Sequence, residues 1–332
     1  MSDRTSADRT EGAADVKLPS YDELPSAPDG GRSGWGVFGA DDQLGLVNLL
    51  IPERAAAAAK LVRRGVSFPL DAPWGMFSPP LNSNRGNPRH HLIAQPGGIG
   101  FDDVWDNVYP QAGSQWDSLA HIGYSREVYY NGATADDIRA GRRNTVDRWA
   151  EHGITGRGVL LDMPAAMREL GRPYDPGTTV EFGRRELEVA REIAGVEYRP
   201  GDILLLHTGF TGWYADQGDD VRKRLPRDLR APGLEHTEDV CRYLWDSHAA
   251  AIASDTFAVE AWPADTTPEA APFGFIHQML IGSFGMALGE LWWLRDLAED
   301  CAADGVYEGM LVSVPARAPG GIASAPNAVF LK

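Results

Sequence analysis

Short runs dominated by apolar residues constrain the fold of this chain more than any other feature. Residues 158–162 (GVLLD) and 203–208 (ILLLHT) are two such runs. A run of this length without polar alternation indicates a strand that is buried on both faces, which is typical of sheets covered by helices. We therefore predict an α/β protein.

Helices are predicted between these runs from their end signals. Residues 52–64 begin with a proline and stop before Gly65, and residues 134–141 run from a capping threonine to a glycine. Proline in the first turn and glycine after the last are typical helix boundaries. Further helices are predicted at 184–194, 235–247 and 294–303, and further strands at 249–254 and 309–314.

The charge balance excludes several classes of partner. Lys and Arg number 31 against 47 Asp and Glu, a formal net charge of -16. Such a surface repels nucleic acid and anionic lipid. No apolar run approaches the ~20 residues of a membrane span. The two cysteines, Cys241 and Cys301, cannot form a disulfide framework, so we expect a cytoplasmic protein.

The domain organisation is predicted from changes in amino-acid composition along the chain. Residues 1–30 are polar, with scattered Pro and Gly, and we predict a flexible N-terminal arm. Residues 31–332 are predicted to form a single catalytic domain. Two Pro- and Gly-rich stretches, 72–99 and 262–274, are predicted to be long loops.

Chemically reactive side chains are densest at residues 111–121 (QAGSQWDSLAH). Asp117 and His121 are four residues apart, so on a helical turn they would share one face. In the alternative interpretation Asp117 caps a helix and His121 satisfies a backbone carbonyl. The residues alone leave both interpretations open.

The same segment resembles the HxGTHxDxPxH signature of the cyclase/kynurenine formamidase superfamily of metal-dependent hydrolases. Other segments resemble the longer members of this family in the same order along the chain. They are 35–50, 158–162, 201–209, 254–260, His277 with Glu290, and 320–327.

The resemblance implies a swivelling β/β/α domain with a mixed sheet, assembled as a homodimer or homotetramer. It also implies a divalent metal, zinc or manganese, with ligand positions at Gln111, Gln115 and Asp117. His121 corresponds to the residue of acid/base catalysis, and His277 and Glu290 complete the catalytic site. Two family histidines are glutamines here, at positions 111 and 115.

The implied activity is hydrolysis of a C–N bond (amide, formamide or cyclic imide) or a lactone in a small aromatic molecule. Metal-activated water would be the nucleophile. Because an amide oxygen is a poorer zinc ligand than imidazole, other arrangements stay open. His121 could join Asp117, His277 and Glu290 as a ligand. Alternatively, the site is a metal-free cyclase or dehydratase for a polyketide-like intermediate, or binds a small molecule without catalysis.

Substrate contacts are predicted at five further positions. Ser114 and Trp116 lie inside the motif, where the indole could stack on a flat substrate. Asp255 and Glu260 follow a predicted strand, where α/β sheets bind ligands. His207 ends another strand. For the last three, a structural role in the core is the alternative.

Overall fold

The computed structural model of the protein describes residues 16–28 and 30–332. Its centre is a nine-stranded sheet with the order β1-β13-β11-β5-β7-β9-β10-β4-β12, accompanied by two-stranded pairs β2–β3 and β6–β8. The strands are β1 (Ser67–Pro69), β2 (Arg89–Ala94), β3 (Phe101–Asp106), β4 (Gln115–Asp117), β5 (Ile154–Asp162), β6 (Glu181–Phe182), β7 (Ile203–His207), β8 (Gly233–Leu234), β9 (Ala251–Ser254), β10 (Ala287–Glu290), β11 (Glu308–Ser313), β12 (Ala323–Ser324) and β13 (Ala328–Leu331).

The middle of the sheet is parallel and its margins are antiparallel. Strands β5, β7, β9 and β10 pair in parallel, whereas β4 and β11 run antiparallel to their neighbours. The apolar side chains of β5 and β7 are fully buried, because helices and loops cover both faces of the sheet. The predicted α/β class with a mixed sheet is confirmed.

Five of the helices correspond to predicted segments, at 52–64, 134–141, 184–194, 235–247 and 294–303, and the others were not predicted. The helices that cover the sheet are α1 (Pro52–Ala59), α2 (Ala135–Arg139), α3 (Val146–His152), α4 (Met163–Glu169), α5 (Arg184–Ala194), α6 (Phe210–Ala215), α7 (Asp219–Asp228), α8 (Glu238–Asp246), α9 (Arg295–Asp304) and a π-helix (Gln278–Ser283). Thr134 caps α2 by accepting from the backbone N–H of Asp137, as predicted. Helix α1 ends five residues before the predicted boundary.

Residues 16–28 pack against α8 and do not form the predicted flexible arm. The Tyr21 ring is fully buried, its hydroxyl donates to Glu238, and its backbone N–H donates to Asp246. Apolar contacts and these hydrogen bonds fix the segment to its own chain. Residues 1–15, the rest of the predicted arm, lie outside the described residues.

One of the two predicted loops is confirmed, and the other contains a strand. Residues 262–274 form turns without a helix or strand of their own, as predicted. Residues 72–99 contain β2, which pairs with β3 as an antiparallel hairpin with every residue exposed. None of the helices in the described ranges has the length and apolar character needed to cross a membrane.

Candidate active site

The candidate site is built on one face of the β4–β10 strand pair. Residue Gln115 lies opposite Glu290 in the antiparallel register, and Asp117 lies opposite Leu288. Because side chains alternate between the faces of a strand, Gln115 and Asp117 share one face and Trp116 takes the other. Asp117 therefore lies on a strand and not on a helical turn, and His121 still comes within 3.9 Å of it.

A buried hydrogen-bonded cluster joins these side chains. The Gln115 amide nitrogen donates to Asp117 Oδ2 at 3.0 Å and to Glu290 Oε2 at 2.8 Å. Gln115 Oε1 and Asp117 Oδ1 are buried and have no hydrogen-bond partner. Unpaired buried oxygens are costly, so these two atoms indicate a place for a further ligand.

His277, at the N-terminal boundary of the π-helix, completes the cluster. Its Nε2 lies 2.9 Å from Glu290 Oε1, and its Nδ1 contacts Glu260 Oε1. Glu260 also accepts from the backbone N–H groups of Ile276 and His277, at 2.6 and 3.3 Å. Glu260 therefore fixes the imidazole with Nε2 directed at the carboxylates of the site.

Burial and neighbouring charges shift the pKa values of His277 and Glu290. Burial by itself lowers the pKa of His277, but the carboxylates of Glu260 and Glu290 raise it to about 10. Burial raises the pKa of Glu290 to about 7, against the opposing effect of His277. Without a bound cation, His277 therefore carries the positive charge of the cluster at neutral pH.

His121 lies at the more open side of the cluster. Its Nε2 is 3.9 Å from Asp117 Oδ1, and a fifth of its side chain is exposed. Burial lowers the pKa of His121, with Asp117 opposing and His277 adding to the shift. The His121 imidazole is therefore neutral at physiological pH and able to accept a proton.

The donor set fits a divalent cation. One ligand atom from each of Asp117, His277 and Glu290 lies within 4.8 Å of the others, and all three residues are buried. Carboxylate oxygens and an imidazole nitrogen suit zinc and manganese. Unpartnered Asp117 Oδ1 and Gln115 Oε1 supply further oxygen ligands, while Glu260 orients His277.

Ser114 and Trp116 are not placed to contact a substrate. The Ser114 hydroxyl donates to the Leu291 carbonyl at 2.6 Å and accepts from the Ala72 N–H at 2.8 Å. The Trp116 ring is fully buried on the opposite face of the sheet. Its indole N–H donates to Ser313 at 2.9 Å. Both predictions are wrong, since these side chains hold neighbouring strands and loops together.

Asp255 and His207 form a separate group at the carboxyl ends of the parallel strands. Both oxygens of Asp255 are occupied, by the N–H groups of Thr208 and Gly209 and by the Thr208 hydroxyl. His207 Nδ1 lies 3.3 Å from Asp162 Oδ1, at the end of the adjacent strand β5. The structural alternative holds for Asp255, while a substrate contact of His207 stays a prediction.

The ligand role of Gln111 stays a prediction, while Glu260 differs from its expected position. The Gln111 backbone carbonyl accepts from Arg85, and its side chain makes no hydrogen bond within the described residues. Glu260 is fully buried and binds His277, so it supports the site from behind and does not face a substrate. Sequence reasoning missed His236, whose Nε2 lies 3.2 Å from Glu260 Oε2, because no local pattern connects the two.

Comparisons with known proteins agree with this architecture. The sequence matches the Cyclase family model, described as "Putative cyclase", over residues 68–261. A crystal structure of a novel cyclase is 30% identical, with a TM-score of 0.77, covering 90% of this chain and 99% of that chain. The protein belongs to the cyclase family, and the predicted swivelling β/β/α fold is confirmed.

Two isatin hydrolases share the fold at lower identity. Isatin hydrolase A from Labrenzia aggregata, bound to benzyl benzoate, is 15% identical with a TM-score of 0.57, covering 83% of this chain and 96% of that chain. The enzyme from Ralstonia solanacearum is 16% identical with a TM-score of 0.56, covering 85% and 97%. A comparison with curated proteins finds no significant match.

Proposed function

We propose that this protein is a metal-dependent hydrolase that cleaves a C–N bond (amide, formamide or cyclic imide) or a lactone in a small aromatic molecule. The observation that carries the proposal is the buried Asp117–His277–Glu290 cluster, with an unpartnered oxygen on Asp117. The isatin hydrolases, named for a cyclic aromatic substrate, have the same fold and support the choice of substrate class.

Asp117, His277 and Glu290 would hold zinc or manganese, with Gln115 Oε1 as an additional ligand. Such a cation, when bound, lowers the pKa of water and polarises a carbonyl group. The predicted ligand role of Gln111 would use its side-chain oxygen, because its backbone carbonyl already accepts from Arg85.

The protein's own groups supply the proton transfers. His121 Nε2, neutral and partly exposed, accepts a proton from the attacking water and returns it to the leaving nitrogen or oxygen. The positive charge of Arg85 contributes to lowering the pKa of both His121 and Glu290. Its guanidinium would also favour the binding of an anionic product. Glu260 keeps the His277 ring in place during turnover.

Metal content and turnover test the proposal together. Purified protein, incubated with zinc or manganese and desalted, should retain about one equivalent by plasma mass spectrometry, in line with one three-residue cluster. Asp117→Asn should lose the metal, whereas Asp147→Asn, which changes a buried carboxylate in α3, should keep it.

The wild type, these two variants and His121→Ala should then be assayed on formanilide, isatin and a simple lactone. Turnover by the metal-loaded wild type that falls by orders of magnitude in His121→Ala supports the proposed reaction. Metal binding that is unaffected by Asp117→Asn, or turnover that is unaffected by His121→Ala, contradicts it.

A second candidate is a metal-free cyclase or dehydratase for a polyketide-like substrate. Gln115 favours it, because its neutral amide already bridges Asp117 and Glu290 by hydrogen bonds. The Glu290 carboxyl, with a pKa of about 7, can donate or accept a proton near neutral pH. Turnover of such a substrate without metal identifies this function, and binding without any turnover identifies a silent binder.

We also propose a cytoplasmic location. Cys241 and Cys301 are free thiols, and both are buried. Free cysteines without disulfides are typical of a reducing compartment. Fractionation of the native host, with the protein found outside the soluble cytoplasmic fraction, would contradict this assignment.

A further inference from the structure

His236 lies behind the candidate site, on the far side of Glu260. The residue precedes α8 and is mostly buried, with 15% of its side chain exposed. Its Nε2 lies 3.2 Å from Glu260 Oε2, and its Nδ1 lies 3.5 Å from Glu181 Oε1 in β6. These are ion-pair contacts, because the buried His236 Nε2 has no partner with hydrogen-bond geometry within the described residues. Within the part of the chain that the structure describes, His236 contacts neither Asp117 nor Glu290.

Glu260 uses its two oxygens for two different imidazoles. Oε1 contacts His277 Nδ1, whereas Oε2 faces His236. Glu260 is fully buried, and a buried carboxylate requires counter-charge and donors. The backbone N–H groups of residues 276 and 277 supply two donors, and the side chains of the two histidines flank the carboxylate.

We propose that His236 is a positioning residue, which holds Glu260 by its Oε2 atom and thereby fixes the orientation of the His277 ring. The inference rests on the proposed role of His277 in the site. His236 keeps the carboxylate from turning about its own axis. Glu260 then presents Oε1 to His277 Nδ1 and leaves His277 Nε2 directed at Asp117 and Glu290.

The charges around His236 support this role. Glu260, Glu181 and Asp265 all interact with it, from three different segments. Burial by itself lowers the pKa of His236, but Glu260 and Glu181 outweigh burial and raise it. A cationic ring beside a fully buried carboxylate supplies the counter-charge that solvent cannot provide there.

Nuclear magnetic resonance of the metal-free protein tests the inference independently of catalysis. Long-range proton–nitrogen spectra report each nitrogen of the histidine rings, and His277→Gln assigns the His277 signals. His236→Leu should shift or broaden the His277 ring signals. His236→Gln, whose amide nitrogen can donate to Glu260 Oε2 but carries no charge, should shift them less than His236→Leu does.

A metal titration adds a second measurement. Zinc or manganese affinity by calorimetry should fall about tenfold or more in His236→Leu, as is typical when a supporting group behind a metal ligand is lost. His236→Gln should recover only part of this affinity, because its amide can donate to Glu260 but carries no charge. His152→Leu, an exposed histidine at the end of α3, serves as the control with unchanged spectra and affinity.

The outcomes separate the two proposals. If the wild type binds no metal, the proposed hydrolase fails, while the ring signals of His277 still decide the role of His236. If His236→Leu folds, and both the signals and the affinity equal those of the wild type, the positioning role is wrong. If His236→Leu does not fold, His236→Asn replaces it, because its shorter amide cannot reach Glu260.

Discussion

Gln115 stands where the signature that the chain resembles has a histidine. Its amide nitrogen donates to both carboxylates, and its amide oxygen is buried without a partner. An amide oxygen binds zinc more weakly than an imidazole nitrogen does. We therefore expect Gln115 to lower metal affinity while its hydrogen bonds keep Asp117 and Glu290 in fixed positions.

Replacing Gln115 with histidine should strengthen zinc binding. We expect at least about a tenfold gain in affinity, or about 1.4 kcal/mol, from the added imidazole ligand. Competition with a chromogenic chelator measures it, and Gln217→His, at the end of α6, is the control. An unchanged or weaker affinity in Gln115→His would show that position 115 does not face the metal.

His277 should make the stability of the metal-free protein depend on pH. Its pKa is raised from 6.5 to about 10 in the folded state. The stabilising contribution is therefore complete below about pH 6.5 and is lost as the pH rises through about 10. Because each unit of pKa shift corresponds to about 1.4 kcal/mol, the loss should amount to a few kcal/mol.

Urea unfolding between pH 6 and pH 10.5, in the presence of a chelator, measures this loss. The free energy of unfolding of the wild type should decline over the window. His277→Gln should start lower and show a flatter profile. Parallel profiles for the two proteins would contradict the assignment of the charge to His277.

At the scale of elements, β4 and β10 determine the geometry of the site. Gly289 lies opposite Trp116, on the face of the strand pair away from the cluster, where a Cβ would come within 2.6 Å of Ala253 Cβ and 2.8 Å of Trp292 Nε1. The Trp292 indole N–H donates to the Gln115 carbonyl at 2.9 Å. A side chain at position 289 would therefore push on the tryptophan that holds β4 in register.

Gly289→Ala should destabilise the fold by about 1–3 kcal/mol, the usual cost of overpacking a tight core. Denaturant unfolding measures the change, and metal affinity should fall with it. Gly113→Ala is the matched control, because a Cβ there meets nothing within 4 Å and its φ of -147° suits any residue. Equal stability of the two variants would contradict the proposed tight contact.

The elements also differ in how far the sequence predicted them. The strands β5, β7, β9 and β11 and the helices α5 and α8 were predicted, because their apolar runs and periodicity are local, whereas α4, α6 and α7 were not predicted. Strand β4 was not predicted either, since three residues with mixed polarity carry no period. It exists because β10 and β12 pair with it on either side.

At the scale of the whole molecule, the β2–β3 hairpin stands out. Both of its strands are exposed on both faces, although a two-stranded hairpin is marginally stable by itself in water. Large apolar side chains are concentrated on it and its turn: Leu92, Ile93, Ile99, Phe101, Val104 and Trp105. An apolar surface of this kind marks a contact site.

We expect a second copy of this chain to cover the hairpin. The polar side chains of the hairpin contact one another within the chain, His90 Nε2 at 3.1 Å from Asp103 and His91 Nε2 at 3.4 Å from Asp106. The exposed apolar side chains are therefore the part of the hairpin that a symmetric contact would cover. This arrangement agrees with the homodimer or homotetramer that the family resemblance implies, which stays a prediction.

The double variant Leu92→Ser, Phe101→Ser should lower the oligomeric state, because it removes apolar area from the contact. Light scattering coupled to size exclusion measures the molar mass. Val306→Ser, an exposed apolar side chain after α9, is the control with unchanged mass. An oligomer that survives the double variant would place the contact elsewhere.

The sequence by itself determined the α/β class, the buried strands and the identity of Asp117, His121, His277 and Glu290 as the residues of interest. These are properties of local pattern and of motif. Only the tertiary structure decided that Gln115 bonds Glu290 across 175 residues of chain, that Trp116 turns to the opposite face, and that Glu260 backs His277. The reason is physical: strand register and long-range side-chain contacts depend on how the whole sheet packs, and no short segment encodes them.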